Sequence, residues 1–289
     1  MQALLSSLRP QQWIKNAFIF MPLVFSKQLT CYPHNLYSVY GFILFSLASS
    51  SVYLINDIID VDQDRLHPTK KLRPFAAGKI GKTTLIIAII ILSSISMIGA
   101  FLLNKLFLIT ILVYFILNIF YSRHLKNVVI LDVFCIGVFF ILRALAGSFI
   151  AEVEISHWIL TMTGLLALFL GFNKRRQELE NLKEEAFSHR TVLKKYSLYF
   201  IDQMIAVITS SIVIAYMLYT IDQRTLIAFG GRQLICTAPF VYYGIFRYMY
   251  LIHKVKKEGD PTKVLLSDKI MQVNIILWFL FCIVFIYLS

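Results

Sequence analysis

Four oxygen-bearing side chains share one helical stripe in Asn56-Asp57-Ile58-Ile59-Asp60-Val61-Asp62-Gln63-Asp64. At about 100° per residue, Asn56, Asp57, Asp60 and Asp64 fall within an arc of roughly 100°, while Asp62 points the other way. Three carboxylates on one face repel one another unless a cation sits among them. Oxygen-only ligands select a hard ion. Mg2+ is ordinarily held by one or two carboxylates completed by substrate phosphates. The stripe therefore predicts a metal site for a diphosphate, with Asn56, Asp57, Asp60 and Asp64 as ligands and the three aspartates as the catalytic acids. A merely solvated helix end is the alternative, but four of the sixteen acids fall within these eight residues beside an apolar run.

Cations follow at once, in Asp64-Arg65-Leu66-His67-Pro68-Thr69-Lys70-Lys71-Leu72-Arg73-Pro74. The two prolines impose an irregular, stiff turn, in which His67 reads as a turn residue. Lys71 and Arg73 suit the charge that builds on a departing diphosphate. A second basic cluster reads Asn173-Lys174-Arg175-Arg176-Gln177-Glu178-Leu179-Glu180. There Asn173, Lys174, Gln177 and Glu178 share an arc flanked by Arg175, whereas Arg176 and Glu180 are spaced for an ordinary i,i+4 pair. Lys174, Arg175 and Glu178 are the substrate-binding candidates. Tyr121 and Lys126 suit phosphate oxygens, and Lys15 with Asn16 closes an interfacial run anchored by Trp13. Asp132, Arg143 and Asp202 interrupt apolar stretches, where ionisable residues are functional candidates by default. Asp132 and Arg143 fall on one helical face; Arg143 either lines the cavity or snorkels to the outer interface.

The elements that carry these residues are set by composition. The 289-residue chain is 58% apolar and 15% charged, with a mean hydropathy of +0.72, against about 45–50% and 25% in soluble domains. That excludes a soluble globular domain and predicts an all-α polytopic membrane bundle. A spanning helix needs about 20 mostly apolar residues. Uncharged runs meet this at 36–55, 83–103 and 270–289, and weaker stretches occur at 16–26, 107–122, 128–150, 155–172, 198–221 and 233–252. Nine spans follow. With the N-terminus cytoplasmic, 22 of the 28 Lys and Arg fall in cytoplasmic segments and 4 outside, leaving Arg143 and Arg247 within spans. This is the asymmetry of the positive-inside rule. Both long loops, 56–82 and 173–197, are then cytoplasmic, and a site between them is expected. Residues 1–289 read as one membrane domain.

Cys31, Cys135, Cys236 and Cys282 are too scattered for a disulfide framework or a zinc site. The stretch after Arg9 and Lys15 is broken by Pro22 and lacks a small-residue cleavage site, so it reads as a retained segment. The net charge of +12 is explained by topology and by anionic substrates, with no call for nucleic acid.

The NDxxDxxxD pattern of residues 56–64 resembles the UbiA superfamily of intramembrane prenyltransferases, which have nine spans. Further motifs are similar to its decaprenyl-phosphate phosphoribosyltransferase branch. They are Leu8-Arg9-Pro10 with Gln12-Trp13-Ile14-Lys15-Asn16, His67-Pro68-x-Lys70-x-x-Arg73-Pro74, Leu142-Arg143-Ala144 with Gly147, Lys174-Arg175-Arg176-x-Glu178-Leu179, His189-Arg190-x-Val192-Leu193 and Tyr196-Ser197. The resemblance runs from Leu8 to about Asp202 and includes little of the last two spans. It implies transfer of 5-phosphoribose from phosphoribosyl diphosphate to a polyprenyl phosphate, with Mg2+ as cofactor and release of diphosphate. It places the protein in the plasma membrane, its site facing the cytoplasm, and leaves a homo-oligomer open. Aromatic prenyltransferases of the superfamily carry DxxxD after the sixth span, where this chain has Asn173-x-x-x-Gln177 with basic residues between. That departure favours a substrate with extra negative charge. Transfer of a prenyl group from a prenyl diphosphate to an aromatic or lipid acceptor is the competing enzyme reading. A transporter of a phosphorylated solute, the third, predicts ionisable residues at the midplane and on both sides.

Overall fold

The structure, a computed structural model, describes residues 2–66, 69–182, 191–255 and 267–287. Among the described residues there are helices and short 3-10 turns and no strand. The long helices are α1 (His34–Ile59), α2 (Lys82–Leu103), α3 (Lys105–Arg123), α4 (Leu131–Ile150), α5 (His157–Leu182), α6 (Leu198–Ile221), α7 (Ala238–Val255) and α8 (Lys269–Tyr287). Six of them, α1 to α4 with α6 and α8, are long and apolar enough among the described residues to cross a membrane. The chain is a multi-pass membrane protein.

The other three expected stretches are helical as well, each with a departure. Of residues 155–172, those from His157 onward open α5, which continues unbroken through the charged turn 173–180. Residues 233–252 divide between a 3-10 turn, Gln233–Thr237, and α7. Residues 16–26 belong to an 11-residue 3-10 helix, Pro10–Phe20, followed by a short α-helix, Met21–Phe25. Prolines open both pieces, at Pro10 and Pro22, where a missing N–H is tolerated. At about 2 Å per residue the 3-10 piece rises about 22 Å, longer than an α-helix of the same count.

Two compact units divide the chain, one from Met1–Ile155 with Ser188–Val192 and the other from Ser156–Phe187 with Leu193–Ser289. The first is centred on Phe45, Ala48, Val52, Phe107, Ile111 and Tyr114. In hydrocarbon there is no hydrophobic drive between helices, so small residues and interhelical hydrogen bonds hold them together. Along α1, Ser46, Ala48, Ser49, Ser50 and Ser51 are buried. Ser93 on α2 donates to Ser51 at 3.2 Å, and Ser96 donates to the Leu44 carbonyl at 2.9 Å. The outer face of α2 leaves Ile86, Ile87, Ile90, Ile91, Ile95 and Ile98 exposed, a lipid-facing stripe.

Asn104 is the joint between α2 and α3. Its Oδ1 accepts from the Leu106 and Phe107 amides at 2.8 and 3.2 Å, and its Nδ2 donates to the Phe149 carbonyl at 3.1 Å. Asn104→Ala is expected to cost about 1 kcal/mol as a lost N-cap, plus the tie to α4. Asn104→Asp keeps the cap and loses the tie, so its melting temperature in detergent should fall between those of parent and alanine variant.

In the second unit α5 packs along α6. Tyr216 shares a hydrogen bond with Thr237 at 2.6 Å and accepts from Trp278 Nε1 at 2.9 Å. Arg247 pairs with Asp268 at 2.9 Å, which gives that membrane-region cation a counter-charge.

Candidate active site

The acidic stripe forms because helical spacing survives the end of α1. Asp60 caps the helix, its N–H donating to the Asn56 carbonyl at 2.9 Å. The chain then resumes in Val61–Leu66, with the Asp64 N–H on the Asp60 carbonyl at 2.8 Å. Asp57 and Asp64 are each 3% exposed and Asp60 is partly buried. Asp62 stands in solvent, 3.7 Å from Arg65, on the side opposite the stripe as its spacing predicts.

Each stripe carboxylate is met by a cation of the same unit. Asp57 forms an ion pair with Arg9 and lies 3.4 Å from Arg73 Nη1. That same Arg73 nitrogen donates to Asp64 at 2.5 Å. Lys126, in the 3-10 turn Leu125–Asn127 after α3, donates to Asp60 at 2.5 Å. Ser122, at the end of α3, donates to Asn56 Oδ1 at 2.5 Å. Arg73 is delivered by the 3-10 turn Lys70–Leu72, where Lys71 is exposed. Arg9 lies over the Tyr53 ring, 5.0 Å from its centroid. Burial draws its guanidinium below the ordinary arginine range, and the Asp57 carboxylate opposes that shift.

Among the described residues no three His, Cys, Asp or Glu side chains are grouped closely enough to hold a metal by themselves. Arg9, Arg73 and Lys126 bring positive charge to the stripe. The donor set nevertheless fits a hard divalent ion. It is all oxygen, and Asp57 and Asp64 converge on one positive centre, the Arg73 nitrogen. Asp57 and Asp64 would hold such an ion, with ligand phosphate oxygens supplying the rest of its ligands.

The remaining sequence candidates of this unit lie on the N-terminal segment and α3–α4. Lys15 is partly buried, and Asn16 is fully buried. Tyr121 is partly buried, its ring edge-on to Phe139 with centroids 5.7 Å apart. Asp132 is buried in the first turn of α4. Arg143 is buried and does not snorkel.

In the second unit, Arg175 is 1% exposed and donates to Glu178 at 2.6 Å. Arg176 pairs with Glu180 at 2.5 Å, as its spacing predicts, and also reaches Asp202 at 2.7 Å. A cation set aside from the site thus neutralises one of its candidates. Lys174 is partly buried. Asn173 is fully buried; its Nδ2 donates to the Phe169 carbonyl at 2.8 Å, while its Oδ1 meets no donor among the described residues. A buried acceptor left unpaired is costly, so this oxygen suits a hydroxyl or a cation. His67, Pro68, His189 and Arg190 lie outside the described residues.

Spacing alone did not single out Arg9, Tyr53 or Ser122. Arg9 stands in the Leu8-Arg9-Pro10 motif, and its backbone carries a second signal, since a non-glycine residue with φ 53° and ψ 58° is uncommon.

Residues 21–267 match the UbiA prenyltransferase family. A decaprenyl-phosphate phosphoribosyltransferase of Corynebacterium glutamicum is 31% identical over 292 residues, covering 97% of this chain and 85% of the relative. An uncharacterized protein, y4nM, of Sinorhizobium fredii is 30% identical over 92% of this chain; the chain spans about half that relative, 52% of its length. A UbiA homolog from Archaeoglobus fulgidus, solved bound to GPP and Mg2+, has a similar fold, with a TM-score of 0.73 at 19% identity, covering 98% of this chain and 99% of the other.

Proposed function

This chain belongs to the UbiA prenyltransferase family, and on that premise we propose that it transfers 5-phosphoribose from phosphoribosyl diphosphate to a polyprenyl phosphate, in a Mg2+-dependent reaction that releases diphosphate. It works at the cytoplasmic face of the plasma membrane, in a nine-span bundle that reads as one domain. The observation that carries the choice of donor is the turn 173–177 of α5. There Arg175 and Gln177 are buried, and Asn173 holds an acceptor that meets no donor among the described residues. A second aspartate pair would make this turn a metal site. Basic and amide groups suit instead a sugar phosphate, with its hydroxyls, or the lipid phosphate. The naming of the Corynebacterium relative supports the same reading.

Asp57 and Asp64 would hold the metal, with Asp60 and Asn56 beside them. Bound there, the ion supplies charge neutralisation for the diphosphate leaving group. Arg73, Lys126 and Lys71 are the chain's own contribution to that task, because guanidinium and ammonium groups stabilise negative charge as it develops on the departing oxygens. The bond from ribose C1 to the diphosphate oxygen breaks, and a bond from C1 to an oxygen of the lipid phosphate forms. That phosphate is already an anion near neutral pH, so no side-chain base is needed. Positioning and electrostatics carry the rate.

The test is a membrane assay with Mg2+, labelled phosphoribosyl diphosphate and a polyprenyl phosphate, for which labelled lipid is expected. The fold shared with a homolog bound to GPP and Mg2+ supports prenyl transfer as the second reading. Labelled lipid formed solely from a prenyl diphosphate and an aromatic or lipid acceptor would establish that reading instead.

A further inference from the structure

Arg143 is a cation 4% exposed in the middle of a membrane helix, and its partners among the described residues are neutral. Nε donates to Asn16 Oδ1 at 2.8 Å, Nη1 to the Phe139 carbonyl at 2.6 Å, and Nη2 lies 3.4 Å from the Tyr114 hydroxyl. Its guanidinium carbon is 5.3 Å from the ring centroids of Phe45, Tyr114 and Phe140. Burying an ion without an opposite charge is costly, and an apolar side chain of similar volume would occupy this position at less cost.

What the ion holds is the N-terminal 3-10 segment. Asn16, gripped by Arg143, donates to Ser46 and Ser49 of α1 at 2.9 and 3.3 Å. One turn back, Trp13 Nε1 donates to Ser50 Oγ at 3.0 Å, and Ser50 donates to the Leu8 carbonyl at 2.9 Å. Arg9 comes next, turned by its left-handed backbone onto Asp57. The seam runs antiparallel: Asn16 meets Ser46 and Ser49, Trp13 and Leu8 both meet Ser50, and the Arg9 side chain reaches on to Asp57. A slip of one residue along this seam would carry Arg9 about 2 Å from its carboxylate.

We propose that Arg143 is a positioning residue: through Asn16 it sets the register of Pro10–Phe20 along α1 and so keeps Arg9 on Asp57, where Arg9 competes with the divalent cation for that carboxylate. The inference rests on the metal reading given above and is independent of which donor is used.

Mn2+ binding to the full chain in detergent, followed by EPR without any donor, tests it. Arg9→Gln is expected to tighten Mn2+ binding about tenfold, because a competing cation is gone. Arg143→Met should tighten it by a similar factor and add nothing in the Arg9→Gln background, as expected when one residue acts through the other. Asn16→Ala cuts the same link more gently and carries the test if Arg143→Met does not fold. Unchanged Mn2+ affinity in Asn16→Ala or in folded Arg143→Met, or an equal shift with and without Arg9, would overturn the inference. A parent that binds no Mn2+ overturns the metal reading and this inference with it. Failure of pentosyl transfer alone leaves the inference standing.

Discussion

Asp60→Ala is expected to lower transfer by about 10²–10³-fold, the scale on which a preorganised electrostatic group contributes to a transition state, while the melting temperature stays near the parent's. Asp60 and its partner Lys126 are both partly exposed, with side chains 26% and 17% accessible. Water can therefore solvate the lysine once the carboxylate is gone. Asp64→Ala should lose activity to the same degree and stability as well. Its carboxylate is buried on the Arg73 nitrogen that also serves Asp57, and removing one partner of a buried pair strands the other. A cost of about 2–3 kcal/mol follows, below the figure for fully buried pairs because Arg73 retains some solvent. Initial rates across a Mg2+ titration, paired with thermal melts, separate the two variants. Full activity in both would remove the metal assignment. A rate loss at Asp60 that added Mg2+ cannot relieve would point to a role for the carboxylate apart from metal affinity.

The second large effect is steric. A Cβ at Gly147 would stand 2.1 Å from the Ile19 carbonyl oxygen and 2.8 Å from its carbon. Those atoms are backbone, so the N-terminal segment itself must move away from α4. Gly99 offers the control: a Cβ there meets Leu44 Cδ2 at 2.5 Å, the tip of a side chain that can change rotamer. Gly147→Ala is expected to cost about 3 kcal/mol or more, at the upper end of overpacking penalties, and Gly99→Ala about 1 kcal/mol. Melting curves of the two variants in the same detergent check the ordering. Equal losses would mean that the segment does not seat against α4 as described. Because that segment carries Arg9, Gly147→Ala should also disturb Mn2+ binding, whereas Gly99→Ala should not.

Much of the site is legible along the chain. Asn56, Asp57, Asp60 and Asp64 lie on one stripe because helical geometry persists across the Asp60 cap, and the same periodicity turns Asp62 to solvent. The Arg176–Glu180 pair is likewise a local i,i+4 matter. Arg9 and Ser122 were not legible as site residues, since each meets its partner across a sequence separation that no periodicity encodes: 48 residues for Arg9 and Asp57, 66 for Ser122 and Asn56. Lys126 reads from its type and place as a cation for phosphate, but its position on Asp60 comes from the packing of α1 against α3.

Sequence by itself determined the class of this protein: an apolar, net basic, helical membrane chain with a carboxylate stripe beside cations. Those are properties of composition and of repeats shorter than ten residues, which depend on local geometry and on the solvent the chain must match. The tertiary structure decided which cation answers which carboxylate, that Arg143 is enclosed by aromatic rings rather than drawn to the interface, and that the N-terminal stretch is a 3-10 strap laid along α1. Such choices depend on the close approach of distant segments, as at Gly147 and Ile19. They also depend on the rule that charge buried in a low-dielectric bundle must find its partner within the fold.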